Sequence, residues 1–255
     1  MLRSIDELSG YPVIARDGKI GKVSHFFFDD RNRQWTVRYL IVAVGNFLMR
    51  KEVLVSPESF LQPTPVEFPV NLTKKQIENS PDIDTAKPVS RQMEEALHDH
   101  YGWPTYWTAP AYMGHVPVHT PLSPSPTKGN GDPLREKSVT DELKDPNLRS
   151  TKEVIGYHLH ALDGDIGHVR DMIVDDEAWV IRYLVINTKN WLPGKDVILP
   201  PSWAEKISWK ESTVHINITK KVVKECPEFD PAAPVNRVYE ENLYDYYGRQ
   251  KYWVR

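Results

Sequence analysis

A chain of 255 residues with 32 Lys and Arg against 35 Asp and Glu has a formal net charge of −3, so it lacks the basic excess that nucleic-acid binding leaves in a sequence. The lone cysteine, Cys226, excludes an intramolecular disulfide and fits a reducing cytoplasm. Asp6, Glu7, Arg16 and Asp17 interrupt every apolar run near the N-terminus, and the longest apolar stretch, Leu40 to Met49, is half a membrane span and contains Gly45 and Asn46; a signal peptide and a transmembrane segment are excluded, and a soluble, cytoplasmic protein is expected.

From the N-terminus the chain first reads as strands. Asp17-Gly18 is a hairpin signal, because glycine accepts the positive φ of a tight turn. Ile20 to Asp29 is rich in Val and Phe and ends in the adjacent carboxylates Asp29-Asp30. Trp35 to Val44 is apolar on both faces, the pattern of a strand buried on both sides or curled into a small barrel. Lys51 to Ser56 is a short strand closed by Pro57, and Val66 to Leu72 supplies another. Helices follow. Thr73 with Gln76 forms a capping-box signature, and that helix must stop before Pro81. A second helix starts after Ser90, carries an apolar stripe of Met93, Leu97, His100 and Tyr101, and ends at Gly102. Between Thr108 and Arg149 the pattern dissolves into seven prolines and Gly129-Asn130-Gly131, the composition of an extended or disordered linker, whose aromatic start, Trp107 to Tyr112, is a candidate to dock on a domain.

Beyond the linker the chain repeats itself about 146 residues on, a duplicated domain and not a short solenoid unit. Gly10-Tyr11, Asp17-Gly18, Ile20-Gly21, Val23 and Asp29-Asp30 return as Gly156-Tyr157, Asp163-Gly164, Ile166-Gly167, Val169 and Asp175-Asp176. Trp35, Arg38-Tyr39-Leu40 and Lys51 return two residues early as Trp179, Arg182-Tyr183-Leu184 and Lys195; Arg91, Glu94, Leu97, Tyr101 and Tyr106-Trp107 return as Arg237, Glu240, Leu243, Tyr247 and Tyr252-Trp253. Strands are accordingly expected at Ile166 to Asp175, Trp179 to Thr188, Lys195 to Leu199 and Val214 to Ile218. Thr219 is expected as a simple N-cap, since Val222 replaces the glutamine, and Asn236 caps a helix with the stripe Tyr239, Leu243, Tyr246 and Tyr247. The expected organisation is domain 1 over 1–107, a Pro-rich linker over 108–149 and domain 2 over 150–255, each domain mainly β with about six strands in a small barrel followed by helical tail segments. Whether a tail caps its own barrel or the other copy's stays open.

The Gly-Tyr opening, the Asp-Gly hairpin, the Ile-Gly-x-Val strand, the Asp-Asp corner, the Arg-Tyr-Leu strand and the Lys-x-Val/Ile strand leading to Pro, in one order twice, resemble the PRC-barrel family over Ser4 to Leu72 and Thr151 to Ile218. That family takes its name from the cytoplasmic domain of the photosynthetic reaction-centre H subunit and is shared with a ribosome-maturation factor. The helical tails with their Tyr-Trp ending look like those of uncharacterised bacterial tandem members. The resemblance implies a small β-barrel serving assembly and protein contact, with no general set of catalytic residues. Unlike the reaction-centre subunit, this chain has no apolar run long enough for a transmembrane helix.

Duplication filters the candidate chemistry, because a function shared by both copies needs residues found in both. His158 and His160 lie two apart on one strand face, where imidazoles can share a metal with His168 or His215. Their counterparts are Pro12, Ile14, Lys22 and Pro69, so solvent-facing or hydrogen-bonded histidine is the preferred reading. Asp29-Asp30 and Asp175-Asp176 pass the filter but end strands, where Asp accepts backbone hydrogen bonds, and Arg38 and Arg182 are expected to pair with them structurally. Cys226 aligns with Ser80 and has no repeated histidine partner. No catalytic residue, cofactor or metal is assigned, and no phosphate loop, nucleophile elbow or dinucleotide fingerprint occurs. Tyr101, Trp107, Tyr247 and Trp253 are the candidate interaction residues, since Tyr and Trp concentrate binding energy at interfaces. The expected function is a non-enzymatic interaction and assembly module of unknown partner and pathway, self-association included. The alternative is a ligand- or metal-binding protein using the His158/His160 face.

Overall fold

The computed structural model of the chain describes residues 1–31, 34–45, 50–81, 89–107, 148–188 and 195–254. The expected linker therefore lies outside the described residues except for Leu148 and Arg149. The first copy contains β1 (Leu2–Ser4), α1 (Ile5–Leu8), β2 (Pro12–Ala15), β3 (Gly18–Asp29), β4 (Trp35–Gly45), β5 (Arg50–Val55), β6 (Phe68–Pro69), α2 (Lys74–Glu78) and α3 (Arg91–Tyr101). The second repeats the order as β7 (Leu148–Ser150), α4 (Thr151–Val154), β8 (His158–Ala161), β9 (Gly164–Asp175), β10 (Val180–Asn187), β11 (Asp196–Leu199), β12 (Ala204–Ser208), β13 (Thr213–Ile216), α5 (Lys220–Glu225) and α6 (Arg237–Tyr247).

The mainly β reading holds, and the β4 pattern has its cause in burial: Val37, Tyr39, Leu40, Ile41 and Val42 are all enclosed, although they alternate between two faces. β3 and β9 run antiparallel to β4 and β10, while β2 pairs in parallel with β6 and β8 with β13. Gly21 and Gly167 are duplicated because the partner strand leaves no room for a side chain. An added Cβ would lie 2.3 Å from the carbonyl oxygen of Ala43 at the first and 2.0 Å from that of Asn187 at the second.

Several boundaries differ from expectation. The strand expected at Val66 to Leu72 shrinks to Phe68–Pro69, since before it Thr64 N–H donates across a turn to the Glu67 carbonyl at 3.0 Å, and after it the ladder breaks up, Val70 making a single bridge to Phe60 and Asn71 N–H donating to the Ser59 carbonyl at 2.8 Å. β12 was not foreseen; it is short, polar at Glu205 and Lys206, and held by antiparallel pairing with β13. Thr219 makes no side-chain cap bond; instead Asp163 accepts from Lys220 N–H at 2.7 Å, as Asp17 does from Lys74 N–H at 2.8 Å. The hairpin aspartates therefore cap the short helices.

The two copies are interlocked. β10 pairs with β4, with Val180 opposite Thr36 and Ile181 opposite Trp35, so one hydrogen-bonded path of strands crosses from copy to copy. β1 of the first copy leaves to pair with β9 of the second, Leu2 opposite Asp175 and Ser4 opposite Ile173. β7 does the converse on β3, Leu148 opposite Asp29 and Ser150 opposite Phe27. The arms are the same tripeptide, Leu-Arg-Ser, in matching register, which makes the junction a pseudo-twofold interface of the isologous kind. Leu148 and Arg149 are strand and not linker end because a partner remote in sequence supplies their hydrogen bonds. Trp179, expected inside a strand, adopts a φ of 51° just before β10 and packs its ring on Phe26, Phe60 and Phe68 of the other copy. Trp35 reaches in the opposite direction to Trp209, with ring centres 6.0 Å apart.

Candidate functional site

Each helical tail is held to its own barrel by a buried polar cluster that occurs twice. In the first copy the Tyr39 hydroxyl donates to Oε1 of Glu94 at 2.9 Å, the Tyr106 hydroxyl donates to the same oxygen, and Nη1 of Arg91 lies 2.9 Å from Oε2. In the second, the Tyr183 and Tyr252 hydroxyls donate to Oε1 of Glu240 at 2.7 and 2.9 Å, and Nη1 of Arg237 lies 3.0 Å from Oε2. Glu94 and Glu240 are 0% and 2% exposed, tolerable for a carboxylate only because each is paired and hydrogen-bonded. Burial followed by the charge of the neighbouring carboxylate raises the Tyr39 phenol, and burial with nearby Tyr and Glu groups raises that of Tyr183, so both stay protonated donors. Tyr252 is pushed up to about 12, first by burial.

Arginines extend the cluster outward. Arg38 lies 4.0 Å over the Tyr106 ring and Arg182 4.2 Å over Tyr252, while Arg91 covers Trp107 at 4.3 Å and Arg237 covers Trp253 at 4.1 Å, all within cation–π range. Arg38 also lies 3.4 Å from Asp29 and Arg182 3.0 Å from Asp175, the ion pairs expected from sequence. Burial alone raises the Asp29 carboxyl, but hydrogen bonds from Arg31 and the charges of Arg31 and Arg38 bring it below its ordinary value; Asp175 is lowered likewise, chiefly by Arg182. Asp176 is 3% exposed and accepts from Arg3 at 2.6 Å and Gln62 at 2.8 Å, which pins the crossing arm.

The glutamates correct the expected helix stripes. The buried face of α3 carries Glu94, Leu97 and His98, with His100 exposed; that of α6 carries Glu240, Leu243 and Tyr244, with Tyr246 38% exposed. A stripe drawn through apolar residues alone is rotated away from the true face, because it assigns every carboxylate to solvent. Apart from Arg38, Tyr39, Arg182 and Tyr183 on β4 and β10, the members of the cluster lie in the tails, and all are duplicated, so the repeat itself was the signal for this site.

Of the interaction candidates, Tyr101 stacks on Trp103 with ring centres 4.1 Å apart, and Tyr247 packs on Trp203 at 4.9 Å. Trp107 and Trp253 are half-buried, with one face on an arginine. Cys226 is buried, and burial raises its thiol. Its carbonyl accepts from Lys195 Nζ at 2.7 Å, as that of Ser80 does from Lys51.

His158 and His160 share Asp165, their Nδ1 atoms 3.7 and 3.5 Å from its two oxygens, and the His160 ring stacks on His215 at 5.2 Å. Among the described residues no three His, Cys, Asp or Glu side chains are grouped to hold a metal ion. Nor is any described helix long and apolar enough to cross a membrane.

No curated protein matches the chain. The family model of the PRC-barrel domain matches residues 2–76 and 153–223, one segment in each copy and together more than half of the chain. With two matched segments that fold alike and interlock, the chain belongs to the PRC-barrel family as a tandem duplicate.

Proposed function

We propose that this tandem PRC-barrel chain is a non-enzymatic interaction and assembly module, a scaffold that offers protein-binding surfaces and performs no chemistry on what it binds. The observation that carries this reading is the employment of the duplicated polar residues. Tyr39, Arg91, Glu94 and Tyr106, like Tyr183, Arg237, Glu240 and Tyr252, bond to one another and fix the tails. Asp29 and Asp175 hold arginines, and Asp17 and Asp163 cap helices. What both copies offer outward is a half-buried tryptophan beside an arginine, a residue pair that concentrates binding energy at interfaces.

Cross-linking of the full chain in native extract, followed by mass spectrometry, tests the reading. Cross-links from Lys251, two residues from Trp253, to one recurrent protein or to a second copy are expected, and are expected to disappear in the Trp107→Ala, Trp253→Ala double variant. Absence of any intermolecular cross-link, with a monomer by light scattering at every concentration, would overturn it.

A further inference from the structure

The two corners where an arm meets the other copy's long strand share a backbone and differ in chemistry. Each is built on a bulge. The β3–β4 ladder skips Ser24, and the β9–β10 ladder skips Arg170, so the extra residue and its neighbour are re-aimed. At the first corner Ser24 donates to Glu52 at 3.0 Å and accepts from Lys152 at 3.1 Å, with the His25 ring 3.1 Å away. The second corner has Arg170 for Ser24, Asp171 for His25, Asp196 for Glu52 and Asp6 for Lys152. The tail clusters keep their residues in both copies, whereas this corner has exchanged a lysine and a histidine for two aspartates.

A cavity of about 590 Å³ opens at the second corner, a size typical of small-ligand sites. Its lining includes the apolar Ile173, Val185 and Phe229, the segment from Pro231 to Val235, and the polar residues of β1 and α1. The three cationic groups along it are engaged with carboxylates outside the lining: the Met1 ammonium with Asp176 and Glu177, Arg3 with Asp176 and with the Pro63 carbonyl, and Arg170 with Asp196. Asp6, Glu7 and Asp171 have no cationic partner among the described residues; Glu7 accepts from Tyr11, and Asp171 accepts from the Ser4 hydroxyl at 2.5 Å, the Met172 N–H at 2.7 Å and the Asp6 N–H at 3.0 Å. The cavity therefore joins an apolar lining to unbalanced negative charge.

We propose that this cavity binds an organic cation, an ammonium or guanidinium on an aliphatic stem, with the charge against Asp6 and Asp171 and the stem on Ile173, Val185 and Phe229. Burial raises the Asp171 carboxyl, and a cation placed beside it removes that penalty. The same chemistry comes from a free amine or from a lysine or arginine of a partner chain.

Calorimetric titration of the full chain with n-hexylamine, n-hexanoate and acetyl-Leu-Lys-Leu-amide tests the proposal. The ammonium probes are expected to saturate and to weaken with added salt, and hexanoate to show no saturation. Asp6→Asn with Asp171→Asn should weaken the cation at least tenfold. Because Asp171 also anchors the arm, Ala233→Trp, at an exposed residue lining the cavity, is the second variant: it should block binding with an unchanged melting temperature. A peptide tighter than hexylamine assigns the cation to a partner's side chain, and the reverse order assigns it to a free amine. Equal binding of hexylamine and hexanoate, no saturation with either cation, or binding that survives Ala233→Trp overturns the proposal.

Discussion

His25 is a buried histidine at 5% exposure, and burial followed by the Lys152 charge lowers its imidazole to about 4. It is neutral in the folded chain at neutral pH, whereas in the unfolded chain it titrates near 6.5. The unfolded state therefore takes up the proton first as pH falls. Stability is full above pH 6.5 and declines until about pH 4, by roughly 3 kcal/mol in total. Urea unfolding at pH 7 and pH 4.5 should show this decline, and His25→Phe should flatten it; an undiminished slope in the variant would assign the effect elsewhere. Asp29 and Asp175 act lower on the scale. Their carboxyls are depressed in the folded state, so their contribution is present above the ordinary carboxylate value and is lost as pH drops through the folded one. Glu240 is the residue with most at stake. Glu240→Ala leaves Arg237 and two phenols without their acceptor and should cost about 3–5 kcal/mol by denaturant unfolding, whereas Glu241→Ala, on the exposed face, should change stability by less than about 0.5 kcal/mol.

At the scale of elements, α6 is a docked helix. Leu243 is fully enclosed with Tyr244, Tyr183, Ile198 and Phe229 in a cluster of its own, so Leu243→Ala should cost about 2–5 kcal/mol in chemical denaturation. A loss under 1 kcal/mol would mean that the tail does not rest on the barrel. The helix ends were legible because capping is local: Ser90 and Asn236 accept from the third residue on, and Gly102 and Gly248 take the left-handed conformation at the other end. The buried face was less legible. Its centre depends on Glu94 and Glu240, whose burial follows from Tyr39 and Tyr183 on a distant strand.

At the scale of the molecule, the crossing arms bind the halves together. Proteolysis within the connector should give two fragments that co-elute in native size exclusion and separate only in denaturant, since β1, β7 and both tryptophans bridge the copies. Fragments that separate without denaturant would refute the interlock. Trp179→Ala, which empties a site among Phe26, Phe60 and Phe68, should cost about 3–5 kcal/mol and loosen both copies at once, read as a single lowered unfolding transition.

Duplication, strand periodicity, turn glycines and helix caps belong to the sequence alone, because each is set by neighbours within a few residues or by direct comparison of one half with the other. Asp17-Gly18, the two-sided apolar run of β4 and the capping box at Thr73 needed no tertiary information. Tertiary structure decided the rest. It placed each tail on its own barrel, turned Leu148 and Arg149 into a strand, carried Trp179 into the other copy and opened a cavity where β1 meets β9. These outcomes depend on partners more than a hundred residues away, or on a carboxylate whose burial is affordable only once two phenols and a guanidinium have converged on it.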